Sequence, residues 1–369
     1  MNLPFFGKFF SGGTLGIDIG TASIKVIEVS REGGRFKLLN YGVFQLENQE
    51  GAIETKQQAA KLPDQDIVWG IKELLRQSKI KSKNVVASIP TFSTFSTVIS
   101  LPYLSERDLA KTIPFEAKKY VPIPIEEVVL DWSIINLSSL AQSENQQSQQ
   151  AGVSARVTPT VEVFLVAVPK HETERYKRIM TATGLNLVAL ELENIALIRS
   201  LVGNDLSPVA IVNIGGRSTS ILVVDQGFER ISHNYEIGGF EITKSIARTM
   251  GVSVARAEEF KRTVGLKSDG AKVISEAMFS LLDMMVFETK KTISTYENSK
   301  NIKIQKIILV GGVANMPDFL QYFKKKTSLD VSIGNPFVRM VYPKDLEKII
   351  SVLGPTLAIG VGLAMREVS

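Results

Sequence analysis

Two short stretches of this chain, 15–26 and 211–222, share one pattern. The first reads LGIDIGTASIKV and the second reads IVNIGGRSTSIL. Each begins as an apolar strand, passes a polar position and a glycine-containing turn with hydroxyl side chains, and continues as a second apolar strand. A duplicated strand-turn-strand element predicts two related half-domains that face one cleft. Because backbone N–H groups in glycine-rich turns form anion-binding concavities, such a cleft suits a phosphate chain.

Composition excludes several classes of chemistry. The 369 residues allow two domains of ordinary size. The chain has no cysteine, which excludes disulfides, thiolate zinc sites and cysteine nucleophiles. With only His171 and His233, a histidine-rich metal site or a histidine-based triad is disfavoured. The net charge of +5 is spread without a long Lys/Arg block, so we expect no nucleic-acid partner.

The N-terminal segment 1–13 is apolar but short, and it lacks the pattern of a signal peptide. Its four aromatic side chains, Phe5, Phe6, Phe9 and Phe10, permit two interpretations. They contact a membrane surface or a partner protein, or the segment packs on its own domain. No stretch approaches the roughly 18 apolar residues of a membrane span, so we expect a cytoplasmic protein.

The apolar periodicity suggests how the chain is divided. We predict a first domain over 14–204 together with 340–369, and a second domain over 205–339. Residues from about 84 to 182 look like a small α/β insertion within the first half. The Gln/Ser/Ala-rich stretch 138–160 inside it lacks apolar periodicity and predicts a mobile hairpin tip.

The order of motifs carries a family resemblance. A Gly-x-Asp-x-Gly-Thr hairpin is followed by an inserted segment, an apolar linking helix, a second glycine-rich hairpin and a strand ending in Gly311-Gly312. This order resembles the actin and heat-shock-chaperone superfamily of ATP-binding proteins. Within it, 16–26, Ser88-Ile89-Pro90, Leu101-Pro102 and 113–122 resemble the PilM family of type IV pilus assembly. The cell-division protein FtsA is the nearest relative in architecture. The implied fold class is α/β, an actin-like (ribonuclease H-like) two-domain ATP-binding fold with an FtsA-type inserted subdomain in the first half.

The resemblance gives each residue of the first hairpin a role. Lys25 matches the family's phosphate-binding lysine, and Asp18 stands where relatives have a carboxylate near Mg²⁺, usually through water. A single carboxylate suffices, since Mg²⁺ keeps several waters and takes phosphate ligands. The alternative for Asp18 is a turn-forming residue that caps its own loop. The backbone that approaches the β- and γ-phosphates belongs to Gly20, Thr21, Ala22 and Ser23.

The second hairpin departs from the family pattern. Asn213 stands where many relatives have Asp, and Arg217 replaces a small residue. Asn is neutral, so it cannot act as a base or pair with Mg²⁺, and we expect a weak ATPase at most. Arg217 would reach a phosphate or point to solvent. The residues expected to hold the phosphates from this side are Gly215, Gly216, Ser218 and Thr219.

Two further motifs are assigned to the nucleoside. Glu258, Lys261 and Arg262 resemble the superfamily's Glu-x-x-Lys pattern; one helical turn separates Glu258 from Lys261, so both can face the ribose and adenine. The alternative is a surface ion pair. The stretch that resembles the adenosine motif starts with Gly311, Gly312 and Val313, and its alternative is an ordinary strand-to-helix turn.

The candidate catalytic residues are Asn213 and a glutamate. Glu193, or Glu191 two residues earlier, falls where relatives place a residue that orients the attacking water. Either glutamate could instead be an exposed polar residue.

The resemblance implies a cytoplasmic, ATP- and Mg²⁺-binding scaffold, peripheral on the inner face of the cytoplasmic membrane. It would hold the N-terminal cytoplasmic segment of PilN, link the assembly platform to the cytoplasmic motor and close around nucleotide, and self-association is left open. Two alternatives stay open. A sugar-kinase-like phosphotransferase needs a carboxylate base where this chain has Asn213. An FtsA-like filament protein usually ends in an amphipathic membrane helix, which the tail 365–369 does not provide.

Overall fold

A computed structural model describes residues 13–46, 63–138, 159–267 and 272–367. The described chain forms two compact units. The core unit comprises the chain up to Thr91 and from Arg175 onward, and the inserted unit comprises Phe92–Glu174. The four N-terminal phenylalanines and most of the predicted hairpin tip at 138–160 lie outside the described residues.

The elements alternate between strands and helices along the chain. The strands are β1 (Thr14–Ile19), β2 (Ser23–Glu32), β3 (Arg35–Gln45), β4 (Asn84–Ile89), β5 (Phe95–Pro102), β6 (Val128–Ser138), β7 (Thr160–Pro169), β8 (Asn186–Leu192), β9 (Val209–Ile214), β10 (Thr219–Asp225), β11 (Phe228–Tyr235), β12 (Lys306–Val310), β13 (Asp330–Ile333) and β14 (Met340–Val341). The helices are α1 (Asp64–Gln77), α2 (Glu106–Ala117), α3 (Lys170–Thr183), α4 (Glu193–Leu201), α5 (Gly239–Met250), α6 (Val254–Thr263), α7 (Lys272–Lys300), α8 (Phe319–Thr327) and α9 (Glu347–Ala364).

The core unit contains two sheets built on the same plan. The first has the strand order β14-β3-β2-β1-β4-β8, and the second has the order β11-β10-β9-β12-β13. In both, an antiparallel three-stranded meander is continued by two parallel strands. The duplication predicted from the two hairpins therefore extends to whole sheets, β1-β2 corresponding to β9-β10.

The strands around the first hairpin are apolar on both faces because both faces are covered. Ile17 and Ile24 lie in a cluster with α1 and α3, whereas Ile27 and Val29 pack against α9 on the other face. Strands buried on both sides read as nearly continuous apolar runs.

Helices α4 and α9 lie between the two sheets. Their side chains, including Ala196, Leu197 and Leu363, form one buried cluster with Val86 of the first sheet and Ile211 of the second. An ideal Cβ on Gly362 would lie 1.9 Å from the carbonyl oxygen of Ala196, so the two helices cross almost backbone to backbone. The sheets are thus joined through a layer that leaves no room for side chains at the crossing.

Helix α9 corrects one expectation. The stretch Lys344–Ala364 is long and apolar enough to cross a membrane by length and composition, although no such stretch was expected. In the structure, Leu357, Val361 and Leu363 are fully buried in the core unit. Residues 347–352 are exposed except for Ile350, whereas nearly all residues from Gly354 to Ala364 are buried. The apolar run is therefore accounted for by a helix whose second half is enclosed between two sheets.

The inserted unit is a three-stranded antiparallel sheet, β5-β7-β6, covered by α2. Helix α2 starts at its N-cap Ser105, whose hydroxyl accepts a hydrogen bond from the Asp108 N–H at 3.2 Å. Leu109 and Ile113 on α2 pack over the sheet. The unit starts later and ends earlier than the predicted insertion at 84–182. It starts later because β4 pairs with β1 and β8 in the core unit. The two-domain boundaries within the core unit stay a prediction.

Candidate functional site

The two glycine-rich turns face each other within the core unit. An ideal Cβ on Gly216 would lie 3.0 Å from Thr21 Oγ1 and 3.0 Å from Ala22 Cβ. A side chain at Gly216 would therefore press against the first turn. The structure brings the two halves of the predicted phosphate site together at this point.

In each turn, one backbone N–H forms a hydrogen bond within the turn, and other backbone N–H groups remain available to a ligand. Gly20 N–H donates to the Ser23 carbonyl at 3.1 Å, and Gly215 N–H donates to the Ser218 carbonyl at 2.9 Å. Other turn amides have no backbone acceptor within the described part of the chain; they belong to Thr21, Ala22, Gly216 and Arg217. Such groups are suited to bind phosphate oxygens.

Asp18 and Lys25 form a buried ion pair beside the first turn. They sit directly opposite each other on β1 and β2. Lys25 Nζ donates to Asp18 Oδ2 at 2.9 Å, and Ser88 Oγ donates to Asp18 Oδ1 at 3.0 Å. The Asp18 side chain is 2% exposed, so both carboxylate oxygens are committed inside the protein. Asp18 therefore does not cap its own turn; its partners lie on two other strands.

Glu193, the first residue of α4, lies close to this pair. Its Oε2 accepts a hydrogen bond from Thr91 Oγ1 at 3.2 Å. Burial and, next, repulsion from Asp18 raise the pKa of the Glu193 carboxyl to about 7, against the opposing attraction of Lys25 and the hydrogen bonds from Thr91. A carboxyl that titrates near neutrality in a cleft is suited to exchange a proton with water.

Glu191 has a different environment. Its carboxylate receives both Arg199 Nη1 and Nη2 at 2.6 Å, and Arg366 Nη1 at 3.0 Å. These contacts tie the end of β8 to α4 and to the segment after α9. The charges of Asp18 and Lys25 act on Glu193, whereas the carboxylate of Glu191 is held by the two arginines. Asn213, half-buried at the end of β9, pairs in register with Ser220 on β10 and Val310 on β12.

Substituting Glu193 should change how stability depends on pH. The folded carboxyl has a pKa near 7 against an ordinary value of 4.5, so the folded state holds a proton that the unfolded state releases between these values. The stability linked to Glu193 is full below pH 4.5 and is lost as pH rises through 7. At pH 8 we expect the free energy of unfolding of Glu193→Gln to exceed that of the parent by about 1–3 kcal/mol, so that the variant melts at a higher temperature. At pH 5 the two proteins should match. Thermal melts across this range measure the difference.

The control for this prediction is Glu126→Gln, an exposed carboxylate in the inserted unit. It should follow the parent at every pH. A Glu193→Gln curve parallel to that of the parent from pH 5 to pH 8 would show that the Glu193 carboxyl titrates normally.

The second turn is anchored to the start of α5. Gly239 N–H donates to the Gly215 carbonyl at 2.9 Å, and Phe240 N–H donates to the Gly216 carbonyl at 2.8 Å. A Cβ on Gly238 would lie 2.6 Å from the Gly216 carbonyl oxygen, so this approach requires glycine at position 238. The Gly-Gly motif before α5 thus shapes the phosphate turn directly.

Lys261 is buried beneath the same glycines. Its Nζ donates to the Gly239 carbonyl at 3.0 Å and to Thr243 Oγ1 at 2.8 Å, and it pairs with Glu258 Oε2 at 2.6 Å. A Cβ on Gly239 would lie 3.2 Å from Val313 Cγ2. The predicted nucleoside residues therefore converge on the second turn.

The Glu258 carboxylate is fully engaged. Thr243 Oγ1 donates to it at 2.5 Å and Arg262 Nε at 2.8 Å, in addition to Lys261. Burial alone would raise the pKa of Glu258, but its attraction to Lys261 and these hydrogen bonds lower it below the ordinary value. The pair is thus a partly buried network and not the exposed surface pair of the alternative, although Arg262 itself is mainly exposed.

Two predicted site residues also have contacts that shape the backbone around them. Thr219 is fully buried, and its hydroxyl donates to the Ile237 carbonyl at 2.7 Å, so it anchors the segment before Gly238. Gly311 has φ +88°, and a Cβ there would lie 2.2 Å from the Ile214 carbonyl oxygen. Gly311 therefore lets β12 end against β9, whereas a Cβ on Gly312 would meet open space.

The sequence reasoning missed three residues near Asp18 and Glu193. Ser88 and Thr91 supply the hydroxyls that hold the two carboxylates, and Tyr176 of α3 is buried near both. Burial, then the charges of Glu193 and Asp18, raise the pKa of Tyr176. The available signal was the position of Ser88 and Thr91 on either side of Ile89-Pro90, at the end of the apolar run 84–89.

Asp18 is the carboxylate beside the first turn that would face a metal ion. Within the described ranges, no group of three or more His, Asp or Glu side chains is placed to hold one. A single carboxylate such as Asp18 fits Mg²⁺, which binds through few carboxylates together with phosphates and water.

Several solved structures have a fold similar to that of this chain. A PilM–PilN type IV pilus biogenesis complex matches with a TM-score of 0.78 and 21% identity over 96% of this chain and 98% of that chain. The ethanolamine utilization protein EutJ from Carboxydothermus hydrogenoformans matches at 0.56 and 14% identity over 98% and 92%. MreB5 of Spiroplasma citri bound to ADP matches at 0.50 and 14% over 92% and 98%. The chain therefore has the fold of actin-like proteins.

A match to a protein-family model identifies the family to which the chain belongs. The family model described as type IV pilus assembly protein PilM matches residues 16–368, which is nearly the whole chain. The protein belongs to the PilM family, as the hairpins and the segments at 88–90, 101–102 and 113–122 predicted.

Proposed function

We propose that this protein is a nucleotide-binding scaffold of type IV pilus assembly that takes ATP with Mg²⁺ between the two turns. The observation that carries the proposal is the approach of Gly216 to Thr21 and Ala22. Turns from two equivalent sheets, with unpaired amides on both, form a site with phosphate-binding groups on two sides. The likeness to MreB5 bound to ADP supports the fold of such a site.

The residues present fit the nucleotide. A Cβ on Gly20 would lie 3.0 Å from Lys25 Nζ, so the missing side chain keeps open the space beside that ammonium. When bound, Mg·ATP supplies phosphate oxygens and a divalent cation. The turn amides and Lys25 would hold the phosphates, and Asp18 would face the metal through water.

The proposed hydrolytic activity is low. Glu193 would orient water and take up its proton, since its pKa near 7 leaves it partly ionised at neutral pH. Asn213 supplies no second carboxylate, which also disfavours the kinase-like alternative. The protein therefore acts mainly through nucleotide-dependent closure.

The proposed partner is the N-terminal cytoplasmic segment of PilN. Support comes from membership of the PilM family and from the match to the PilM–PilN complex over 96% of this chain. Through that partner the protein would sit peripherally at the inner face of the cytoplasmic membrane, between the assembly platform and the motor.

A peptide titration tests this function. The N-terminal cytoplasmic segment of the same organism's PilN, labelled for fluorescence anisotropy, is titrated with the protein alone, with ATP and Mg²⁺, and with a scrambled peptide as control. We expect specific binding whose affinity changes at least about fivefold with Mg·ATP, the lower end of ordinary allosteric coupling. Gly216→Val, which forces the turns apart, should remove that nucleotide effect while leaving the peptide affinity measurable.

The possible outcomes separate the parts of the proposal. Failure of the PilN peptide to bind better than the scrambled one would contradict the scaffold function. Equal affinity with and without Mg·ATP would contradict nucleotide-dependent closure. ATP consumption that requires a small-molecule acceptor would favour the phosphotransferase alternative, and ATP-dependent filaments in electron micrographs would favour the FtsA-like one.

A further inference from the structure

Lys25 occupies the place beside Asp18 that a metal-bound water would need. Asp18 Oδ1 accepts a hydrogen bond from Ser88 Oγ at 3.0 Å, and Asp18 Oδ2 accepts one from Lys25 Nζ at 2.9 Å. With the Asp18 side chain 2% exposed, no ion reaches Oδ2 while the ammonium stays. We propose that, without nucleotide, the Lys25 ammonium substitutes for the divalent cation on Asp18, so that metal and nucleotide bind only together. This inference rests on the proposed nucleotide site.

The geometry opposes binding of the metal alone. Displacing Lys25 from Asp18 would leave an ammonium that is only 14% exposed without a full countercharge. Glu193 also attracts Lys25, but its Oε2 already accepts the Thr91 hydroxyl at 3.2 Å, and among the described residues Asp18 is the carboxylate that forms an ion pair with the ammonium. A divalent cation must therefore displace the ammonium from the carboxylate that it pairs with.

The same pair opposes binding of ATP alone. If Lys25 turned to a phosphate, Asp18 would remain as a buried carboxylate held only by the Ser88 hydroxyl. Mg·ATP satisfies both groups at once, since the phosphates receive Lys25 and the metal with its water faces Asp18. Because linkage is reciprocal, each ligand raises the affinity for the other by the same factor.

The test measures metal binding in the absence of nucleotide. Mn²⁺ is titrated into the full-length protein and free Mn²⁺ is followed by electron paramagnetic resonance. We expect no saturable site in the parent, and in Lys25→Met a single site at least about tenfold tighter than any weak binding by the parent. Lys25→Gln is a second neutral variant, and Lys25→Arg, which keeps the cation, should behave as the parent does.

Two controls locate the effect. Lys37→Met removes an exposed ammonium that pairs with Glu32 on the same sheet, and it should bind no Mn²⁺. The double variant Asp18→Asn with Lys25→Met should lose the gained site. Mn²⁺ binding that persists in the double variant would place the metal elsewhere and overturn the proposal.

Nucleotide titrations separate this inference from the function beneath it. ATP affinity of the parent should rise at least about tenfold on adding Mg²⁺, and this ratio should shrink in Lys25→Met. A parent that binds no Mg·ATP overturns the nucleotide site itself. A parent that binds Mg·ATP, together with folded neutral variants that gain no Mn²⁺ site, overturns only the substitution of Lys25 for the metal.

Discussion

Replacing Asp18 with asparagine should reduce the affinity for Mg·ATP by at least about 100-fold, and the residual binding should no longer depend on Mg²⁺. The change removes the one carboxylate at the first turn that would face the metal. It also frees Lys25 from its 2.9 Å partner, so the ammonium can receive phosphate oxygens and ATP without metal should bind no more weakly than it does to the parent. A hundredfold loss of Mg·ATP affinity corresponds to about 2.8 kcal/mol of lost metal contact, since each 1.4 kcal/mol is a tenfold change in affinity.

Isothermal titration with ATP, with and without Mg²⁺, measures this effect. Asp66→Asn is the matched control, because Asp66 is an exposed carboxylate on α1. Circular dichroism establishes that both variants keep the fold; Asn can still accept the Ser88 hydroxyl. An affinity for Mg·ATP within threefold of the parent would remove Asp18 from the metal site.

Replacing Gly362 with alanine should destabilise the core unit by about 1–3 kcal/mol. The new Cβ would lie 1.9 Å from the Ala196 carbonyl oxygen and 2.5 Å from its carbon, both of which are backbone atoms that cannot rotate away. Helices α4 and α9 must therefore separate. The helix-propensity gain of up to about 1 kcal/mol for Gly→Ala offsets only part of this cost.

Urea denaturation compares this variant with Gly354→Ala in the same helix. A Cβ on Gly354 would meet its nearest atom, Pro336 Cδ, at 3.3 Å, so the change there is far less crowded. We expect Gly354→Ala to retain the stability of the parent or to gain slightly. Equal stability of the two variants would mean that the crossing of α4 and α9 adjusts without cost.

The pattern of short segments predicted much of the fold and the family. The hairpins at 15–26 and 211–222 indicated duplicated halves, and the sheets repeat the same order of strands. Local patterns suffice for such features because strand alternation, glycine turns and helix caps depend on neighbouring residues. The same reasoning assigned Thr219 to the phosphates, whereas its hydroxyl holds the Ile237 carbonyl.

The sequence alone determined the chemistry available at the cleft: two glycine turns, one aspartate, one lysine and no cysteine. Only the tertiary structure separated Glu193 from Glu191, because burial near Asp18 and pairing with Arg199 arise from residues distant in the chain. It also decided that the apolar run of α9 is a core helix, since the sheets that enclose it come from both ends of the sequence. Burial and pairing of charges depend on long-range packing, which a local pattern of residues does not contain.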